Sequence, residues 1–121
     1  MDRNAINPWV WQDQFGFAQA NDLNGVKRVL VCSGQTSVDD EGNPVHAGDM
    51  AGQLNKALDN LETVLGQAGL GLSDVVRLNY YVTDTLPRLG QPECRPATTL
   101  LGIAALFLPE LMVEIEATAA Q

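Results

Sequence analysis

Positive charge is scarce in this chain. Its 121 residues carry 7 Lys and Arg against 15 Asp and Glu, a formal net charge of −8. Gripping a phosphate backbone needs a basic patch, and Lys27-Arg28 is the only adjacent basic pair, so nucleic acid is excluded as the expected partner. A single histidine, His46, gives no histidine cluster for a metal and no Ser-His-Asp set. Two cysteines, Cys32 and Cys94, allow at most one bridge. Cys32 lies in the apolar run Val29-Leu30-Val31-Cys32, where a thiol behaves as a small buried hydrophobe. There is no G-x-G-x-x-G or Walker-type glycine loop. Ser33-Gly34-Gln35 lacks the first glycine of G-x-S-x-G, so a serine hydrolase is not expected. No apolar run approaches the ~20 residues that span a bilayer, and Met1-Asp2-Arg3-Asn4 leads into no signal-peptide core. A reduced, cytoplasmic protein with no metal and no membrane partner is the expectation.

What is present suits one domain, since domains most often run ~100–150 residues. Residues 1–14 hold both tryptophans and little periodicity, which predicts an irregular arm packed by its indoles ahead of a domain over 15–121. Phe15 to Ala20 reads as a short strand closed by the turn Asn21 to Gly25, and Lys27 to Ser33 as a β-branched strand. Gly34 then marks a bulge or a close backbone approach. From Asp49 to Ala68, apolar residues at Met50, Leu54, Ala57, Leu58, Leu61, Val64, Leu65 and Ala68 follow helical spacing. Asp49 is the natural N-cap and Gly69 the left-handed stop. Val75 to Thr83 alternates, with Val76, Leu78, Tyr80 and Val82 on one face and Arg77, Asn79, Tyr81 and Thr83 on the other. Two prolines leave room for at most a turn of helix over 85–95. Thr98 to Leu106 and Leu111 to Ala119 read as the last strands. The order predicts an α+β domain, one long helix on a mixed sheet. With Val29 and Val31 taken toward the helix, the other face would carry Leu30, Cys32, Met112 and Val75, too apolar for open water.

The last strand holds the candidate chemistry. Alternation puts Met112, Glu114, Glu116 and Thr118 on one face, with the two carboxylates roughly 7 Å apart. They suit either a solvated strand face or a cleft that positions water and moves protons.

Val31-Cys32-Ser33-Gly34-Gln35, Leu58-Asp59-Asn60-Leu61, the run Val75 to Asp84, Pro96-Ala97-Thr98-Thr99 and Val113-Glu114-Ile115-Glu116-Ala117 come in an order that resembles the YjgF/YER057c/UK114 (RidA) family. The resemblance covers about Phe15 to Ala119. It implies a chorismate-mutase-like fold, a homotrimer with ligand clefts between subunits, no cofactor, and hydrolysis of enamines or imines such as 2-aminoacrylate to 2-oxo acids and ammonia. Residue by residue it implies Glu114 as the water-positioning group, Ser33 and the Gly34 backbone as polar contacts, and Phe17 and Leu100 as an apolar wall. Thr98 stands where the family carries a carboxylate-binding arginine, Phe17 where it carries a tyrosine, and the second helix is shortened. Arg95 is no substitute, being an odd three residues from position 98 and so on the opposite face. Truncating a paired charge costs ~2–5 kcal/mol, which predicts weak deamination of ordinary 2-aminoacrylate. Two functions stay open: a small-molecule metabolite-binding trimer that hydrolyses a different enamine or imine, and a non-catalytic ligand-binding or regulatory trimer that meets a protein partner.

Overall fold

The computed structural model describes residues 1–83 and 95–121. Helix α1 spans Met50–Gln67, close to the bounds its periodicity predicts. Asp49 caps it, with the Gly52 N–H donating to the Asp49 side chain at 3.0 Å, and Gly69 follows at φ +73°. Leu54, Ala57, Leu61 and Leu65 are buried on its inner stripe. Each such leucine contributes about 1.5–3 kcal/mol through lost water contact.

Helix α1 covers one face of a five-stranded sheet. The strands are β3 (Val29–Val31), β4 (Gln35–Thr36), β5 (Val75–Val82), β6 (Ala97–Gly102) and β7 (Val113–Ala120). The order is β3-β7-β5-β6, with β4 also on β7; β5 and β6 run parallel and the other pairs antiparallel, so the sheet is mixed as expected. Leu78, Tyr80 and Val82 of β5 pack under the helix with Val113, Ile115 and Ala117 of β7. The alternate residues, Arg77, Asn79 and Tyr81 with Glu114, Glu116 and Thr118, form the open face.

Several sequence expectations are corrected. The arm over 1–14 contains a strand, β1 (Asp2–Ile6), paired antiparallel with β2 (Ala20–Asn24). The predicted strand at 15–20 thus begins five residues late, and the residues read as a turn form the strand, with only Gly25 turning at φ +70°. Both strands are mostly polar and owe their form to long-range pairing, which leaves no local periodicity. The indoles do not bury the arm: Trp11 meets Phe17 edge-on at 5.8 Å, but both tryptophans stay exposed, Trp9 at 58% and Trp11 at 51%. The phase of β3 is also opposite to expectation. Pairing sets Leu30 against Ala119 and Val31 against Thr118, so Leu30 and Cys32 turn to the core while Val29 and Val31 stand 56% and 77% exposed. Val75 is buried because the β5–β7 ladder slips between Val75 and Arg77, bringing both Val75 and Val76 inward. Strand β6 stops at Gly102, short of the predicted Leu106. The shortened second helix falls largely in 84–94, outside the described residues.

Gln53 was hidden within the apolar stripe. Fully buried, it donates to the carbonyls of Glu110 (2.8 Å) and His46 (3.2 Å) and accepts from the Met112 N–H (2.8 Å). It thereby fastens the segment leading into β7 onto the helix. Gln53→Leu keeps the volume and strands these backbone groups, so urea unfolding is expected to show a loss of about 1–3 kcal/mol.

Candidate functional site

Strand pairing builds the site. Antiparallel partners share a face, and the β5–β7 register places Tyr81 opposite Glu114 and Asn79 opposite Glu116. On the far side of β7, β3 and β4 are joined through a bulge. Val31 pairs with Thr118 and Gln35 with Ile115, one residue more on the outer strand than on β7. The bulge brings the Gly34 backbone against the Glu114 side chain, where a Cβ would lie only 2.6 Å from the carboxyl carbon. A larger residue fits there only if the Glu114 side chain moves aside.

These residues floor a cleft of about 330 Å³, a size suited to a small metabolite. Gly34, Tyr81, Glu114 and Glu116 supply its polar side. Its apolar wall comes from the segment after β6, through Ile103, Ala105, Leu106 and Phe107. That segment is anchored by the Ile103 N–H donating to the Val82 carbonyl at 2.8 Å.

The two carboxylates differ in their surroundings. Glu116 accepts from the Tyr81 hydroxyl and, at 3.0 Å, from the Asn79 amide. These bonds favour its ionised form and lower its pKa below the ordinary carboxylate value, helped by the positive charge of Arg77. The same contact raises the Tyr81 hydroxyl, which is held as a donor. Glu114 is raised instead, first by partial burial and then by the negative charge of Glu116. Two like carboxylates on one strand face thus differ in their hold on a proton, Glu114 raised and Glu116 lowered.

Of the residues picked from sequence, Gly34 and Glu114 meet in this cleft and the others do not line it. Ser33 is exposed next to Gly34. Thr98 and Leu100 pair with Leu78 and Tyr80, so the register turns them toward the helix-covered face, away from Glu114. Phe17 lies near them, since Ala18 bridges Ala97 and donates its N–H to the Pro96 carbonyl at 3.2 Å. Arg95 is engaged elsewhere, in a 3.0 Å ion pair with Asp13. Tyr81, Asn79 and the wall over 103–107 were not singled out from sequence as site residues. Alternation had put Tyr81 and Asn79 on the open face, but only strand pairing sets them against the glutamates.

The sequence profile of the endoribonuclease L-PSP family matches residues 16–121. The chain belongs to this family, the YjgF/YER057c/UK114 or RidA family. A solved Rid-family protein from Yersinia pestis, YyfB, superposes with a TM-score of 0.87 at 34% identity, over 100% of both chains. A YjgF/YER057c/UK114 member from Mycobacterium tuberculosis aligns with a TM-score of 0.61 at 31% identity, over 99% of this chain and 100% of that one. Among curated relatives, the 3-aminoacrylate deaminase RutC of Acinetobacter baylyi is 29% identical over 99 residues, 75% of this chain and 78% of that protein. The expected fold is therefore the observed one: the long helix and mixed sheet of the Rid family.

Gly34→Ala tests the close approach. A crystal structure of the variant is expected to show the Glu114 carboxylate swung away from position 34, with overpacking costing about 1–3 kcal/mol in urea unfolding.

Proposed function

We propose that this Rid-family chain binds a small metabolite in the Glu114 cleft and hydrolyses an enamine or imine that carries no free carboxylate. The observation that carries this reading is the cleft that sets two carboxylates beside an apolar wall, Glu116 held by Tyr81 and Asn79 and Glu114 lying against Gly34. Ionised Glu114, a stronger base than an ordinary carboxylate, takes a proton from water as the oxygen adds to the C=N carbon. It passes that proton to nitrogen to give a carbinolamine, then carries the carbinolamine's hydroxyl proton to nitrogen as the C=O bond forms and the C–N bond breaks. Imine and water become carbonyl compound and ammonia, with no cofactor needed. Ordinary 2-aminoacrylate is a poor substrate because Thr98 replaces the family arginine and the cleft offers its carboxylate two like charges. The same charges oppose RNA phosphates, so the ribonuclease in the family name is not the reading supported here.

The open face supports a homotrimer. Val29 and Val31, with Leu101 of β6 at 47% exposure, present apolar surface on the sheet face that α1 leaves uncovered. A neighbouring copy would shield these side chains. It would also bring a second half-site, Phe17 with Thr98 and Leu100, near the Glu114 of another chain. A non-catalytic trimer that meets a protein partner through its acidic surface is the second reading, favoured by the net charge of −8.

Two measurements check these proposals. Ammonia release from imines of simple aldehydes, generated in situ, is expected to exceed release from 2-iminopropionate and to vanish in Glu114→Gln. Because ionised Glu114 is the working form, activity falls as pH drops through its pKa. Glu116→Gln removes the negative charge that raises that pKa, so this acidic limb moves to lower pH. No turnover of any imine supports the non-catalytic reading instead. Light scattering after size exclusion is expected to give the mass of three 13.0 kDa chains, and a persistent monomer overturns the shared cleft.

A further inference from the structure

We propose that the cleft selects a cation, an organic ammonium or iminium ion with a short apolar chain, its head group between Glu114 and Glu116 and its chain along the 103–107 wall. This rests on the small-molecule reading above and names the chemical class that reading leaves open.

Three independent features point the same way. Both charged groups on the cleft floor are carboxylates, and among the described residues no Lys, Arg or His lines it. Arg77 acts on Glu116 from outside the cleft lining and only partly offsets its charge. Arg77 donates to the Thr99 hydroxyl at 2.9 Å and Arg95 pairs with Asp13. Second, Glu116 is fixed before any ligand arrives: the Tyr81 hydroxyl and the Asn79 amide both donate to its Oε1. Its charge and position therefore require no ordering on binding, which is the usual cost of a new ion pair. Third, the opposite wall is apolar and partly aromatic. Phe107, 72% exposed, lines the same cleft as the carboxylates, with Ile103 and Leu106. A cation is stabilised by carboxylates and by aromatic faces alike, whereas an anion is repelled by both.

The chemistry is consistent with hydrolysis. An iminium ion, R–CH=NH2+, is already activated toward water, and with one water it becomes an aldehyde, R–CHO, and ammonium. One positive charge enters and one leaves. The carboxylates thus face a charge that shifts from the C=N unit to the departing nitrogen and is never lost.

Calorimetric titration of the protein with n-butylammonium, butyramide and butyrate tests the inference, because these probes share a chain and differ in charge. Saturable binding of butylammonium, weakened by added salt, with butyrate binding at least roughly tenfold more weakly, is the expected result. Glu116→Gln is expected to weaken butylammonium roughly ten- to a hundredfold. Butyrate or butyramide binding as tightly as butylammonium overturns the proposal, as does no saturable binding of butylammonium. The wild-type series decides alone if the variant does not fold. Ammonium binding without ammonia release upholds this inference and removes the hydrolytic reading, and hydrolysis of a neutral imine without ammonium binding does the reverse.

Discussion

The antiparallel pairing of β5 with β7 carries the site, because it puts Tyr81 opposite Glu114 and Asn79 opposite Glu116 on the face that α1 does not cover. Side chains alternate with a period of two, so a slip of one residue would turn both glutamates into the helix-packed core and Ile115 out to solvent. Burial of Leu78, Tyr80, Val113 and Ile115 beneath the helix forbids that slip. The hydrophobic core thus fixes the register, and the register fixes the carboxylates. Gln53 closes the arrangement by fastening the entry to β7 onto α1.

Within that frame two chemically identical groups acquire different characters. Glu116 receives hydrogen bonds from two side chains of β5 and is held as an anion. Glu114, two residues earlier, instead meets the Gly34 bulge and partial burial, and lies in the field of its neighbour. The difference arises from which residues of β4 and β5 lie across the sheet, since the glutamates share one strand and one face. A fixed anion beside a raised one, set against an apolar wall, favours ligands that carry positive charge or develop it.

The Rid fold supplies the scaffold, and Gly34, Tyr81, Glu114 and Glu116 supply the polar side of its cleft. Thr98 replaces the arginine that the family resemblance calls for, and it pairs on the opposite face of the sheet from Glu114. Exposed Val29 and Val31 leave apolar surface on the carboxylate-bearing face. The cleft and this exposed apolar surface therefore share one side of the sheet.

Much of this was legible in the residues. The spacing of Leu54, Ala57, Leu61 and Leu65 with Asp49 and Gly69 determined the helix, because helical periodicity and caps are local signals. Alternation along 75–83 and 113–119 assigned the faces of two strands, and Gly34 announced a close approach. The polar strands β1 and β2 left no such signal, since their form comes from pairing between residues fourteen to twenty-two apart in the chain. The phase of β3 was likewise undecided by a run of four apolar residues, until pairing with β7 sent Leu30 inward and Val31 outward. Sequence alone determined the family, the helix and the presence of two carboxylates on one strand face. Only the tertiary structure decided which residues meet them, because the partners of Glu114 and Glu116 are chosen by strand register, a property of the whole sheet.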